Sequence, residues 1–369
     1  MSPQRRAVKA DTIARRRLAN QHLVAPTLTA AAEVVGMLGA VQAQDYAGAK
    51  WAVAQRATGL ADSHIEQAFA TGAILRTHVL RPTWPFILPQ DARWMLELTA
   101  PRIMQAMAYY NRQLELDAKL LRRSNAVLER TLHDGMQLTR TELSAALRRA
   151  GVRLATGQHV GNVLLQAELD RVIISGARRG KQFTYALFDE RVPAAPPRDR
   201  DEALRDLTRR YFATRGPATV QDFAWWSDLA VADATRGVKI AARLLHGETH
   251  GGTTYWSART GRASPRWRRV AHLLPNYDEY FVGFKDRSAF GERLLRALPH
   301  ARVDALMGHM LAVDGQLVGA WRRTLGKTAE IELRPLVPLT APERQVARRA
   351  AERFGEFLGL PVGVKLRGP

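Results

Sequence analysis

Two short segments of the 369-residue chain carry side chains that packing alone does not explain. In Val41-Gln42-Ala43-Gln44-Asp45-Tyr46, two amides flank one small residue just after Gly39. Each Gln offers a carbonyl acceptor and an NH₂ donor. On a helix the i and i+2 side chains diverge by about 200°, whereas on an extended segment both face the same way. The spacing therefore suits chemistry only if the chain leaves helical conformation after Gly39 and turns Ala43 away into the protein. Taken alone, such a pair is more often a solvent-exposed turn than a site. The second segment is Leu274-Pro275-Asn276-Tyr277-Asp278-Glu279-Tyr280. Asp278 and Glu279 are of the right type for general acids, but they equally suit loop anchoring or pairing with Arg, and without geometry the structural role is favoured.

Other signatures fall away on inspection. Gly326-Lys327-Thr328 resembles the end of a phosphate-binding loop, yet the position that needs Gly is Trp321. His246-Gly247-Glu248-Thr249-His250 lacks the order of a zinc-protease motif, and Gly247, Gly251 and Gly252 argue for a helix end and loop rather than a metal site. Neither a Gly-x-Ser-x-Gly elbow nor a Gly-x-Gly-x-x-Gly loop occurs. With no cysteine, disulfides, zinc–thiolate fingers, iron–sulfur clusters and cysteine nucleophiles are excluded together. The expectation is catalysis without metal or cofactor.

Lys and Arg total 55 against 35 Asp and Glu, a formal charge of +20. The excess is spread along the chain, which favours a polyanionic partner touched by several parts of the molecule. A hydrophobic content of 46% is ample for two or three packed domains. Arg5, Arg6, Arg15, Arg16 and Arg17 are followed by no apolar signal segment, and no stretch approaches about 18 uncharged apolar residues. A bacterial cytoplasmic protein with no membrane partner is expected, associated with the nucleoid if the polyanion is DNA.

The elements that must position these residues follow a repeated grammar. Apolar spacing predicts helices at about Asp11 to His22, Thr29 to Leu38 and Asp62 to Thr71. Two strands follow, Ala73 to Leu80 and Trp84 to Leu88, joined at the turn Arg81-Pro82-Thr83. In the middle third, Thr139-Arg140-Thr141-Glu142 is a capping box opening a helix to Ala150, and Gly151 stops it. A second helix runs from about Gln158 to Asp170, then strands Val172 to Ser175 and Gln182 to Leu187 enclose a basic tip. A helix pair followed by a hairpin is the winged-helix pattern, with Arg178, Arg179 and Lys181 set to meet phosphates. The Pro-rich run Val192 to Pro197 marks a linker. Helices from Asp201 to Thr214, from Thr219 through Trp225 and Trp226, and from Val231 to Leu245 begin the pattern again. After the strand Thr253 to Ser257 comes a hairpin of His309 to Val313 and Gln316 to Trp321 around Asp314-Gly315. An amphipathic helix from Pro342 to Leu358 follows. The expected fold is α+β, three tandem winged-helix domains at 1–125, 126–195 and 196–369, with extra β-hairpins in the C-terminal part.

The sequence resembles the AlkZ-like and YcaQ-like winged-helix DNA glycosylases. The likeness rests on Val41-Gln42-Ala43-Gln44, Arg76-Thr77-His78-Val79-Leu80-Arg81-Pro82-Thr83-Trp84, Leu98-Thr99-Ala100-Pro101-Arg102 and Gly216-Pro217-Ala218-Thr219 with Phe223-Ala224-Trp225-Trp226. It is continued by Leu273 to Tyr280 and Phe357-Leu358-Gly359-Leu360-Pro361-Val362. Each is weak singly; their shared order is specific. The resemblance implies three winged-helix domains in a C-shaped arrangement around double-stranded DNA carrying an alkylated guanine. It implies that Gln42 and Gln44 are the catalytic pair of the Gln-x-Gln branch, some members of which protect antibiotic producers from bulky N7-guanine adducts. DNA contacts are then expected from His78, Arg81, Thr83 and Trp84, from the wing at Arg178, Arg179 and Lys181, and from Arg322 and Arg323 after the Asp314-Gly315 hairpin, in a protein acting as a monomer. Two departures stand out: Pro85 where His is expected after Thr-Trp, and Asp228 where Gly usually follows Trp-Trp-Ser. Two non-glycosylase readings compete, a winged-helix transcription regulator and an inactive protein that shields lesions.

Overall fold

The computed structural model describes residues 10–259, 268–301 and 308–368; Arg5 and Arg6 of the basic start lie outside them. In chain order the elements are α1 (Ala10–Asn20), α2 (Ala31–Leu38), β1 (Val41–Gln42), α3 (Tyr46–Ala54), α4 (Asp62–Thr71), β2 (Leu75–Arg76), β3 (Pro85–Ile87), α5 (Pro89–Gln113), α6 (Ala118–Leu132), β4 (Leu138–Thr139), α7 (Arg140–Arg149), α8 (Gly157–Leu169), β5 (Ile173–Ser175), β6 (Thr184–Leu187) and α9 (Phe188–Arg191). Then come α10 (Arg200–Arg215), α11 (Val220–Ser227), α12 (Val231–Ile240), β7 (Leu245–His250), β8 (Thr253–Ala258), β9 (Ala271–Leu274), α13 (Glu279–Val282), α14 (Ser288–Ala297), β10 (Met310–Val313), β11 (Gln316–Leu325), β12 (Ala329–Pro335), α15 (Ala341–Leu358) and β13 (Val362–Leu366). This is an α+β protein of many helices and small sheets, as expected. No described helix is long and apolar enough to cross a membrane.

The chain forms two compact units. One comprises Met1–Ile65, Arg205–Trp226 and Ala230–Pro369; the other Glu66–Leu204 with Ser227–Leu229. In the second unit, the order helix, strand, helix, helix, strand, strand runs from α6 to β6, with the three strands paired β4-β6-β5. Its core is aliphatic, built from Leu128 and Leu132 of α6, Leu143 and Leu147 of α7, Val163 and Leu164 of α8, and Ile173 of β5. The expected capping box opens α7: Thr139 Oγ1 accepts from the Glu142 N–H, and a Glu142 carboxylate oxygen accepts from the Thr139 N–H at 2.7 Å. That backbone bond, with the nearby Arg179, holds the Glu142 carboxyl down at about 2.

The first unit is centred on the sheet β13-β12-β11-β10-β9, antiparallel except for the β12–β13 pair. The amphipathic helix α15 brings Phe354 and Phe357 against Trp51 of α3, with ring centres 5.1 and 5.2 Å apart, and Phe354 also meets Trp321 of β11 at 5.2 Å. Offset and edge-on aromatic contacts of this kind contribute beyond their buried area. The helix expected over Val231 to Leu245 stops at Ile240, and His246 to His250 form most of β7 instead of a loop. Alternation puts His246, Glu248 and His250 on one face, but Glu248 is held by Arg16 through two hydrogen bonds of 3.0 and 3.1 Å.

Candidate active site

The Gln pair sits where the chain changes conformation. Helix α2 buries Ala31, Val34, Val35 and Leu38, and Gly39 ends it at φ +79°, a region only glycine enters cheaply. The chain then runs extended through β1, bends at Gln44 and Asp45, and re-enters a helix at Tyr46. Asp45 caps α3, its carboxylate accepting from the Gly48 N–H at 3.1 Å. Ala43 is fully buried, Gln44 is exposed and Gln42 is only 7% exposed. The two amides thus stand on a non-helical segment, as the chemistry requires, but to very different depths.

The backbone around Gln42 is gripped by buried charge. Glu279 Oε1 accepts from the Gln42 N–H at 2.8 Å, while Oε2 accepts from Arg215 Nη2 at 2.6 Å and from Trp226 Nε1 at 3.0 Å. Arg215 donates onward to the carbonyls of Leu38 at 2.8 Å and Ala40 at 3.3 Å, and its guanidinium lies 4.3 Å over the Trp226 ring. The neighbouring Asp278 forms a bidentate pair with Arg56, 2.7 and 3.0 Å, and caps α13 through the Tyr280 N–H. Both carboxylates of the Leu274 to Tyr280 segment therefore serve the structure, the role the sequence favoured. Sequence reading missed Arg215, Arg56 and Trp226 as partners: 64 residues separate Arg215 from Glu279, and no local pattern marks the contact.

Arg322 and Arg323 lie within β11. Arg322 is exposed; Arg323 is half-buried, its guanidinium 5.4 Å from the Phe354 ring and 5.8 Å from the Trp321 ring, and burial lowers its pKa. Beside it, His309 packs edge-on to Trp321 at 4.8 Å and is pushed below the ordinary histidine value by burial and by Arg323. The Asp314-Gly315 turn that precedes the basic pair is packed against the protein. Gly315 is buried, and its carbonyl accepts from the Tyr280 hydroxyl, which also donates to the Ala14 carbonyl. The exposed tip is the following one, Leu325 to Lys327 between β11 and β12.

In the second unit, the strands expected over Ala73 to Leu80 and Trp84 to Leu88 shrink to β2 and β3, which pair Leu75 with Ile87 and Arg76 with Phe86. Pro85 opens β3, a strand position where its missing N–H is tolerated. The loop between is pinned from beneath. Glu168 Oε2 accepts from the His78 N–H at 2.8 Å and the Thr77 hydroxyl at 3.2 Å, and lies 2.6 Å from His78 Nδ1. The Thr99 hydroxyl accepts from the Leu80 N–H. His78 is thus buried, a loop anchor rather than a surface contact, because its ring and backbone both turn inward to one carboxylate. Arg81, Thr83 and Trp84 stay partly exposed, with Trp84 between the His78 ring at 4.2 Å and the Arg76 guanidinium at 4.7 Å. On the wing, Arg178 is turned to Glu66 at 3.3 Å and Arg179 to Glu142 at 2.7 Å, leaving Lys181 exposed at the tip. Asp228 adopts φ +54°, which explains why Gly suits that position, and pairs with Arg102 at 3.8 Å; burial raises its pKa against the pull of Arg102 and Arg81.

The family model described as DNA glycosylase AlkZ-like matches residues 35–357. The chain belongs to the AlkZ-like DNA glycosylase family. DNA glycosylases are enzymes that hydrolyse N-glycosyl bonds, and the matched span contains the Gln pair, the pinned loop and the buried carboxylates. An interstrand DNA cross-link repair glycosylase of Streptomyces sahachiroi is 24% identical, covering 94% of this chain and 97% of the relative. The structure of the Streptomyces sahachiroi DNA glycosylase AlkZ shares the fold, with a TM-score of 0.78 at 21% identity, over 97% of this chain and all of that one.

Proposed function

We propose that this member of the family is a monofunctional glycosylase that removes N7-alkylated guanine from double-stranded DNA, with Gln42 and Gln44 holding the attacking water. Alkylation at N7 makes the purine cationic, so the base is already a good leaving group and needs no strong general acid. What remains is to place a water near C1′ of an oxocarbenium-like sugar, a task within reach of two neutral amides. The observation that carries the reading is the Gln-x-Gln segment on non-helical backbone, with Ala43 buried and Gln44 at the surface. The carboxylates that would offer a rival acid, Asp278 and Glu279, are committed to Arg56 and Arg215.

The same reading assigns phosphate and groove contacts to Arg81, Thr83 and Trp84, to Arg179 and Lys181 on the wing, and to Arg322 and Arg323. The helix-and-wing order from α6 to β6 supports tandem winged-helix modules with the divisions 1–125, 126–195 and 196–369. The cross-link repair relative supports interstrand crosslinks as substrates; the proposal extends to bulky adducts and to a self-resistance role in a bacterial nucleoid, the protein acting as a monomer without metal or cofactor.

The test is single-turnover release of N7-methylguanine from duplex DNA. Gln42→Ala or Gln44→Ala should slow release by about 10²-fold or more, the scale of a lost positioned catalytic group. DNA affinity should hardly change, since phosphate contacts dominate it. A double variant releasing the base at the wild-type rate would falsify the assignment, and a wild-type protein that binds duplex DNA without releasing any base would return the molecule to the regulator class.

A further inference from the structure

We infer that Glu279 is the positioning residue of the Gln42 amide, acting through the Gln42 main chain and held in place by Arg215. This rests on the reading of Gln42 as one of the catalytic pair.

A two-residue strand cannot hold itself in place. β1 is flanked by Gly39 on one side and the bend at Gln44 on the other, so its backbone has little local reason to keep one conformation. The Gln42 N–H and two carbonyls just before the strand go to buried side chains. Glu279 Oε1 takes the Gln42 N–H, and Arg215 takes the carbonyls of Leu38 and Ala40, so the chain is bound on both sides of Gly39 and again at Gln42. A carboxylate offers about four lone-pair sites and no donor, which suits three donors converging on it from Gln42, Arg215 and Trp226. Charge-assisted bonds of this length are the stronger class and hold a narrower geometry than neutral ones. Glu279 and Arg215 are 1% and 0% exposed, so neither bond competes with bulk water. A catalytic amide displaced by about 1 Å loses much of its effect, and the Gln42 side chain is one Cα away from the gripped N–H.

A neutral amide at position 279 would face all these donors with one acceptor oxygen. Glu279→Gln should therefore release either Gln42 or Arg215. Glu279→Asp keeps the charge for Arg215 but, one methylene shorter, withdraws the oxygen from Gln42. The experiment is a double-mutant cycle in single-turnover release of N7-methylguanine, combining each Glu279 variant with Gln42→Ala and recording DNA affinity and thermal unfolding alongside. In the wild-type background, Glu279→Gln or Glu279→Asp should slow release by roughly 10- to 100-fold while affinity stays within about twofold. In the Gln42→Ala background the same substitution should cost less than about twofold, because the residue it positions is gone. Equal slowing in both backgrounds assigns Glu279 to general stability and overturns the inference, as does wild-type release by both Glu279 variants. If Glu279→Gln does not fold, the Glu279→Asp arm decides alone. Wild-type release by Gln42→Ala refutes the catalytic reading itself, an outcome distinct from additive losses in a slow Gln42→Ala protein, which refute the positioning role only.

Discussion

Protonation of His272 should loosen the strand that leads into the candidate site. His272 lies in β9 and is 1% exposed; its Nε2 donates to the Leu23 carbonyl at 2.8 Å, which leaves the proton on Nε2 and Nδ1 buried without a partner. A second proton would enter a dry site beside the Arg353 and Arg56 cations, with only partial compensation from Asp278. Burial first, and those cations after it, hold the imidazole down at about 4 from an ordinary 6.5. The folded value is depressed, so on acidification the unfolded chain takes up the proton first. Stability present above about pH 6.5 is lost as the pH falls towards 4 and is not recovered below it. That difference corresponds to roughly 3 kcal/mol, a large part of a typical folding free energy. His272→Gln retains an N–H for the Leu23 carbonyl and cannot titrate. Urea unfolding of both proteins between pH 7 and pH 4, followed by far-ultraviolet circular dichroism, measures the difference, because carboxylate titration common to both cancels. The wild type should lose about 3 kcal/mol more than the variant across that range. Parallel acid limbs would refute the reasoning.

Two further perturbations address the surfaces. Gly315→Ala should destabilise the protein by about 1–3 kcal/mol, since φ is +83° and the new Cβ would lie 2.8 Å from the Tyr280 hydroxyl; a melting temperature equal to wild type would show that the Asp314-Gly315 turn is not packed as described. Lys181→Ala should reduce the slope of log K against log salt for duplex DNA by roughly one, whereas Arg178→Ala, whose charge is already turned to Glu66, should reduce it less; the reverse order in a fluorescence-anisotropy salt titration would remove the wing tip from the interface.

Local chemistry was legible in the sequence wherever it acts over a few residues. The Thr139 to Glu142 capping box, the Gly39 stop after α2, the Asp314-Gly315 turn and the Pro342 to Leu358 amphipathic helix all form close to their expected places, because each depends on neighbours within a turn or two of chain. The same local reasoning failed at His246 to His250. Its glycines suggested a loop, yet pairing with β8 makes a strand of it, since strand formation is decided by a partner and not by propensity. The resemblance implied a DNA contact at His78 and the wing pattern one at Arg178, but Glu168 and Glu66, 90 and 112 residues away in sequence, pair with them.

The Gln42-Ala43-Gln44 spacing and the excess of positive charge were properties of the sequence itself, and only together with the family resemblance did they point to two amides acting on a polyanionic substrate. Tertiary structure alone decided that Gln42 would be nearly covered while Gln44 meets solvent, and that Glu279 and Arg215 would hold the backbone between them. The physical reason is that a buried charge must be paired wherever in the chain its partner lies. Two residues 64 apart meet through the packing of the whole unit, which no run of neighbouring residues encodes.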